Sequence, residues 1–471
     1  MATYPRDLLG YGRSPPNPHW PGEARIAVQF VINYEEGGEN NILHGDSASE
    51  AFLSEIAGAA PWPGQRHMNM ESIYEYGSRA GFWRLHRMFT ERSMPVTVFA
   101  VATAIEKNLE VVAGMKEAGW EIASHGFKWV DYKDVSEATE RQHIADAIRI
   151  HTEVTGERPL GFYQGRTSEN SARLVQEEGG FLYNADSYAD ELPYWTDGVK
   201  GPHIIVPYSL DANDMRFATG QGYHTGDGFF DYLKDSFDLL YAEGAHAPKM
   251  LSIGLHCRLV GRPGRAAALA RFLDYIKAHE NVWIARRLDI ARHWIKHRPP
   301  KGGYVPSRMP RALFVEVFGD IFEHTPQIAE RAYNKGLSAS DDTAPGLHSA
   351  LVTVMRAMLR EEKLALVKAH PDLAGRLALA KVLTADSTKE QGSAGLDRLT
   401  PEELKRFTEL NETYKSRFGF PFIMAVKGAT KEQILANFER RVAHDADSEF
   451  AEALTQIERI ALLRLTDKLP S

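Results

Sequence analysis

Adjacent acids close the apolar run FVINYEEGGE, which puts Glu35 and Glu36 at the end of a strand whose other residues favour burial. If that strand ends in an enclosed mouth, both carboxylates cannot be solvated, so one of them faces the cavity. Other strand-length runs close on polar groups in the same way: WEIASH on His125, with Trp129 four residues later, PLGFYQGR on Arg166 and KMLSIGLH on His256. Carboxylates and imidazoles at strand ends are the groups of general acid and base chemistry. A second set lies in KAHPDLAG, LTADSTKEQGSAGL and YKSRFGFPFIMAVKG, whose Gly, Pro and Ser content marks loops or helix ends that can share a cleft. There His370 leaves a helix at Pro371 and reads as a tuned acid with Glu390 as partner. Phe418, Phe420 and Phe422 by themselves read as core.

The first set needs strands to hold it. RIAVQFVINY, PVTVFAVAT, WEIASH, PLGFYQ, HIIVPYSL, KMLSIGLH and NVWIARR are short, rich in Val and Ile, and mostly separated by enough chain for a helix. This α/β pattern, with polar groups at strand ends, favours a distorted (β/α) barrel over an open doubly wound sheet. No glycine-rich phosphate fingerprint follows the first strand, which argues against dinucleotide binding. Residues 296–310 read KHRPPKGGYVPSRMP, which sustains neither helix nor central strand. The expected organisation is residues 1–298, a linker at 299–308 and a second domain at 309–471.

Beyond the linker the period turns helical. Residues 351, 352, 354, 355, 358 and 359 form an apolar stripe, Thr400-Pro401-Glu402-Glu403 reads as a capping box with proline at the first helical position, and Thr430 to Gln433 repeats the signal. An all-α helical bundle is expected.

The 471 residues are 43% hydrophobic and 25% charged, ordinary globular values that exclude a disordered or collagen-like chain. A net charge of −8 without a basic run gives no support for nucleic-acid or anionic-membrane partners, which leaves small molecules. Cys257 is the single cysteine, MATYPRDLLG lacks the apolar core of a signal peptide, and no apolar run reaches the roughly eighteen residues of a membrane span. A cytoplasmic protein is expected.

The N-terminal segments in order resemble the polysaccharide deacetylase superfamily, which opens with an aromatic-Asp-Asp motif and continues with His-[Ser/Thr]-x-x-His. Here the acids are Glu35 and Glu36, and Trp129 stands in place of the second, metal-ligating histidine. These departures are similar to those of the bacterial metal-independent allantoinases. So are HMNMESIYEYGSRAGFWRL, GFYQGRTSEN, NADSYADELPYW and LSIGLHCRLVGRPGR, and the resemblance spans nearly all of residues 1–298. It implies hydrolysis of allantoin, a small neutral ureide, to allantoate with no metal. Glu35 or Glu36 would be the base, His125 or His256 the acid and Arg166 the oxyanion partner. Asp190, Glu191, Arg262 and Trp129 would help to bind substrate.

The second set resembles 2-oxo-4-hydroxy-4-carboxy-5-ureidoimidazoline (OHCU) decarboxylase, in order and spacing, across residues 308–468. That resemblance implies a cofactor-free enzyme making (S)-allantoin, with His370 as proton donor, Glu390 orienting it and Pro371 lining the site. Ser387, Thr388, Lys389, Glu390 and Gln391 would contact substrate, and Phe422, Ile423, Met424, Ala425 and Val426 would supply backbone and apolar walls. Arg464 is a candidate for meeting an anionic group. The expectation is a bifunctional, homo-oligomeric enzyme of purine degradation. Its rivals are an N-acetyl polysaccharide or peptidoglycan deacetylase in the first half, and a non-catalytic oligomerisation module in the second.

Overall fold

The structure is a computed structural model and describes residues 6–56, 58–373 and 399–470. The chain divides into two compact units, Met1–Pro299 and Pro300–Ser471.

The first unit is built on β1, Ile26–Tyr34, nine residues all buried. IAVQFVINY reads as a nearly continuous apolar run, as a strand covered on both faces requires. β1 runs parallel to β2 (Thr97–Ala100), β8 (Lys249–His256) and β9 (Val282–Ile284). The sheet continues through β3 (Glu121–Ser124), β4 (Gly161–Phe162), β5 (Tyr183–Asn184) and β7 (Gly201–Ile205) to β6 (Tyr194–Gly198), in the order β6-β7-β5-β4-β3-β2-β1-β8. Among the described strands only the β6–β7 pair is antiparallel. The sheet is a curled half-barrel, the distorted barrel expected from the alternation of strands and helices.

Strand register places the chemistry. Tyr34 pairs with Ala100, Ala100 with Ser124, Ser124 with Phe162 and Phe162 with Asn184. The next residues, Glu35, His125 and Tyr163, therefore emerge at one rim, and His256, level with Asn33, joins them. Helices such as Phe82–Thr90 and Pro263–Lys277 cover the sheet, with Phe89 and Phe272 against Phe30. Gly81 lets the first of these approach, because a Cβ there would run into the Cys257 carbonyl.

The described part of the second unit is helical. The helix Pro401–Phe418 starts at a capping box of Thr400 and Glu403, and Lys431–Arg441 at one of Thr430 and Gln433, both as their sequences direct. In the apolar stripe Leu351, Val352, Val354, Met355 and Met358 are buried, but Leu359 is exposed because the helix ends at Ala357. The core of this unit encloses an ionic network in which Arg441 and His444 both pair with the Glu449 carboxylate, which also accepts from the Tyr414 hydroxyl.

Candidate active sites

At the rim of the half-barrel lies a cavity of about 510 Å³ whose lining includes Glu35, Glu50, His125, Trp129, Arg166 and His256. Glu35 is its centre. One carboxylate oxygen, Oε1, lies 3.3 Å from His125 Nε2 and 3.5 Å from His256 Nε2, and Oε2 lies 2.7 Å from Arg258 Nη2. Burial pushes the Glu35 carboxyl up, but Arg258 and His256, with hydrogen bonds from both histidines, hold it well below the usual range.

His256 is steered from behind. Its Nδ1 lies 2.6 Å from Asp214 Oδ1, while Asp214 Oδ2 accepts the His256 and Val260 backbone N–H groups. Burial alone would lower the His256 pKa; the carboxylates of Glu35 and Asp214 on either side lift it to about 9, so its resting form is the imidazolium. His125 Nδ1 is 3.2 Å from the Tyr163 carbonyl, which fixes the ring plane. Arg166 stacks 3.9 Å over the Trp129 ring and 4.7 Å over Phe52, with Nη2 4.0 Å from Glu50 Oε1.

The structure separates other expected members from this group. Glu36 follows Glu35 into the turn that ends the strand, where the Gly38 N–H donates to the Glu35 carbonyl. It turns behind the cavity, against Gly77, where any Cβ would collide with its carboxylate. Burial raises its pKa and Glu35 adds to this, against the pull of Arg258. Arg262 immediately precedes the helix Pro263–Lys277 and lies in a different hollow with Glu55 and His224, its guanidinium 3.6 Å over the Tyr76 ring. Asp190 and Glu191 line a neighbouring hollow that shares only Tyr188, Tyr208 and Leu210 with the first, and Asp190 Oδ1 accepts the Glu191 and Leu192 N–H groups of its own turn. Sequence reasoning missed Arg258, Asp214 and Glu50. Arg258 had a signal, standing two residues after His256 inside a quoted motif; Asp214, which opens the short 3-10 helix Asp214–Ala218, and Glu50, in an irregular segment, had none.

In the helical unit, His370 caps the helix Arg360–Ala369 and is buried. Its Nδ1 is 3.0 Å from the Leu366 carbonyl, so Nδ1 carries the hydrogen and Nε2 keeps the lone pair. Burial brings the His370 pKa down to about 4 against the pull of the Leu366 carbonyl and Glu323. The expected proton donor therefore rests as a neutral imidazole and must first take up the proton it delivers. Arg464, the candidate for an anionic group, is already paired with buried Glu323 at 2.9 Å and donates to the Asp320 carbonyl. Phe422 is core, its ring centre 3.9 Å from that of Phe438. The Ile423 carbonyl accepts from Arg441, and the Ala425 N–H donates to Gln456, so those two backbone groups serve the fold. Ile423 and Val426 are buried, Met424 and Ala425 half-buried, and Pro371 half-buried beside His370. Ser387, Thr388, Lys389, Glu390 and Gln391 lie outside the described residues.

Comparison with known proteins places both units. The OHCU decarboxylase family model matches residues 307–466 and the polysaccharide deacetylase model residues 70–179. A Schizosaccharomyces pombe protein named "Putative polysaccharide deacetylase" is 42% identical over 318 residues, 63% of this chain and 98% of that protein. An OHCU decarboxylase of Haloferax volcanii is 42% identical over 165 residues, 35% of this chain and 94% of its own. The chain belongs to both families. Among solved structures, the crystal structure of Puue allantoinase is 62% identical, with a TM-score of 0.62, and the match covers 63% of this chain and 98% of that one.

The polysaccharide deacetylase motif implies a divalent cation, and the residues of this deacetylase-family unit do not fit one. Trp129 offers an indole face where the motif has an imidazole, and the Arg258 guanidinium, 2.7 Å from Glu35 and 3.6 Å from Glu36, already supplies the positive charge between the carboxylates. Among the described residues no group of three His, Cys, Asp or Glu side chains is arranged to hold a metal ion. No helix among them is long and apolar enough to cross a membrane.

Proposed function

We propose that this chain is a bifunctional enzyme of urate degradation. Its OHCU decarboxylase unit forms (S)-allantoin, and its deacetylase-family unit hydrolyses allantoin to allantoate. The observation that carries the second activity is the Glu35 carboxylate set between the two histidines, in a cavity sized for a small ligand. Glu35 takes a proton from water as the water oxygen bonds to the hydantoin carbonyl carbon. Arg166 faces the developing oxyanion. When the ring C–N bond breaks, the His256 imidazolium protonates the leaving nitrogen. Asp214 keeps His256 charged and aimed.

In the decarboxylase unit the electrons left by carbon dioxide pass into the conjugated C=N bond of the ureidoimidazoline, whose ring nitrogen takes a proton from solvent, so the protein need only move protons. His370 Nε2 accepts the 4-hydroxyl proton as that oxygen becomes a carbonyl, and the imidazolium so formed delivers a proton to one face of the adjacent carbon. The proline-rich segment 299–308 joins the two units, and a cytoplasmic homo-oligomer completes the proposal. Sedimentation of the purified protein gives the subunit number.

Because the donor set does not suit a divalent ion, allantoin hydrolysis should continue at an unchanged rate after dialysis against a chelator. Loss of activity that zinc or cobalt restores would contradict this. Release of acetate from chitooligomers, without allantoate from allantoin, would move the first unit to the polysaccharide deacetylase reading that its family name carries.

A further inference from the structure

The acid and base steps leave unused a cation buried behind the cavity wall, against Glu35. Arg258 is fully buried. Its Nη2 is 2.7 Å from Glu35 Oε2 and its Nη1 3.6 Å from Glu36 Oε1, while Nε donates to the Leu53 carbonyl at 2.9 Å. Its Cζ lies 4.3 Å from the centre of the Tyr74 ring and 5.0 Å from that of Trp129. A guanidinium cannot shed its proton in a protein, and burying one is costly unless carboxylates and aromatic faces surround it. Here Glu35 and Glu36 face the Nη atoms, and the Tyr74 and Trp129 rings face the guanidinium carbon. Trp129 is part of the arrangement: an indole presents an electron-rich face to the cation, and its other partner, Arg166, stacks on the same ring.

We propose that Arg258 is a positioning residue for hydrolysis, a built-in cation that keeps Glu35 ionised and aimed at the substrate in the role a bound metal ion has in the deacetylase motif. The inference rests on the allantoinase reading of this unit. Glu35 is faced by Glu36 from its own segment, His125 from the end of β3, His256 and Arg258 from the end of β8, and Tyr74 from the helix Met68–Tyr76; Asp214 stands behind His256 and Glu39 beside Glu36. Of these, Arg258 alone carries a charge independent of pH. Removing it leaves Glu35 buried beside other acids and raises its pKa.

The test uses the full chain with allantoin as substrate. Arg258→Gln should lower kcat by about 100-fold or more with KM changed by less than about threefold, and should move the acid limb of the pH profile up by about one unit or more. Arg258→Lys, which retains charge without the fork, should keep roughly a tenth of wild-type kcat, and guanidinium ion at about 50 mM should partly restore Arg258→Gln. A folded Arg258→Gln protein with wild-type kcat, or one with reduced kcat and an unmoved acid limb, overturns the inference. If Arg258→Gln does not fold, Arg258→Lys decides: a folded lysine variant without activity at any pH overturns it. Failure of the unsubstituted protein to hydrolyse allantoin would instead remove the functional reading beneath.

Discussion

Glu35→Gln should abolish allantoin hydrolysis, with kcat falling about 10²- to 10⁴-fold, the usual contribution of a positioned general base. The substitution keeps the size of the side chain and its contacts with His125 and His256 while removing the lone-pair charge that takes the proton from water. The fold should survive, because Glu36 lies 3.6 Å from Arg258 and can ionise to balance it. Glu36→Gln, behind the cavity, should cost far less. In the unsubstituted protein kcat/KM should rise with pH through the depressed Glu35 pKa, hold across neutrality and fall as His256 loses its proton near pH 9. The sign follows from the roles: the base must be deprotonated and the acid protonated. Decarboxylation by the same Glu35→Gln protein should be unchanged. Steady-state assays of both reactions on one preparation check all of this, and hydrolysis at the wild-type rate would remove Glu35 from the mechanism.

His370→Ala should return decarboxylation to its spontaneous rate and leave the allantoin racemic. His370 is the side chain at the helix end assigned to carry the proton, and the neutral resting form that burial imposes lets it accept one proton and return it to a single face. Its place at the end of the helix Arg360–Ala369 means that the helix itself keeps its hydrogen bonds, so little stability should be lost. Circular dichroism of the product reads the chirality directly. (S)-Allantoin formed by the variant at the wild-type rate would leave the family assignment standing and place the proton elsewhere.

The strand-end residues were legible because a parallel sheet delivers its C-terminal ends to one rim, so runs closing on Glu35, His125 and His256 had to converge. Which of two adjacent acids faces inward was not legible, since that depends on the twist of a few residues after the strand. Arg262 and Arg258 sit in one motif. Only the path of the turn after β8 shows that the first reaches out over Tyr76 and the second back under Glu35. Asp214 joins its site from a single 3-10 turn and Glu323 from a turn after a helix, segments too short to show a period. In the helical unit the capping boxes at Thr400 and Thr430 were fully local signals and predicted their helices directly. The mutual cancellation of Arg464 and Glu323 is a long-range pairing between residues over 140 positions apart, beyond any local pattern.

One chain should perform two consecutive steps. The direct measurement supplies freshly generated OHCU to the purified full-length protein and follows chirality by circular dichroism and ureides by NMR. An early dichroic signal of (S)-allantoin, formed faster than the spontaneous loss of carbon dioxide, should be followed by its decay as allantoate appears. Racemic allantoin accumulating at the uncatalysed rate, or (S)-allantoin that persists without allantoate, would contradict it.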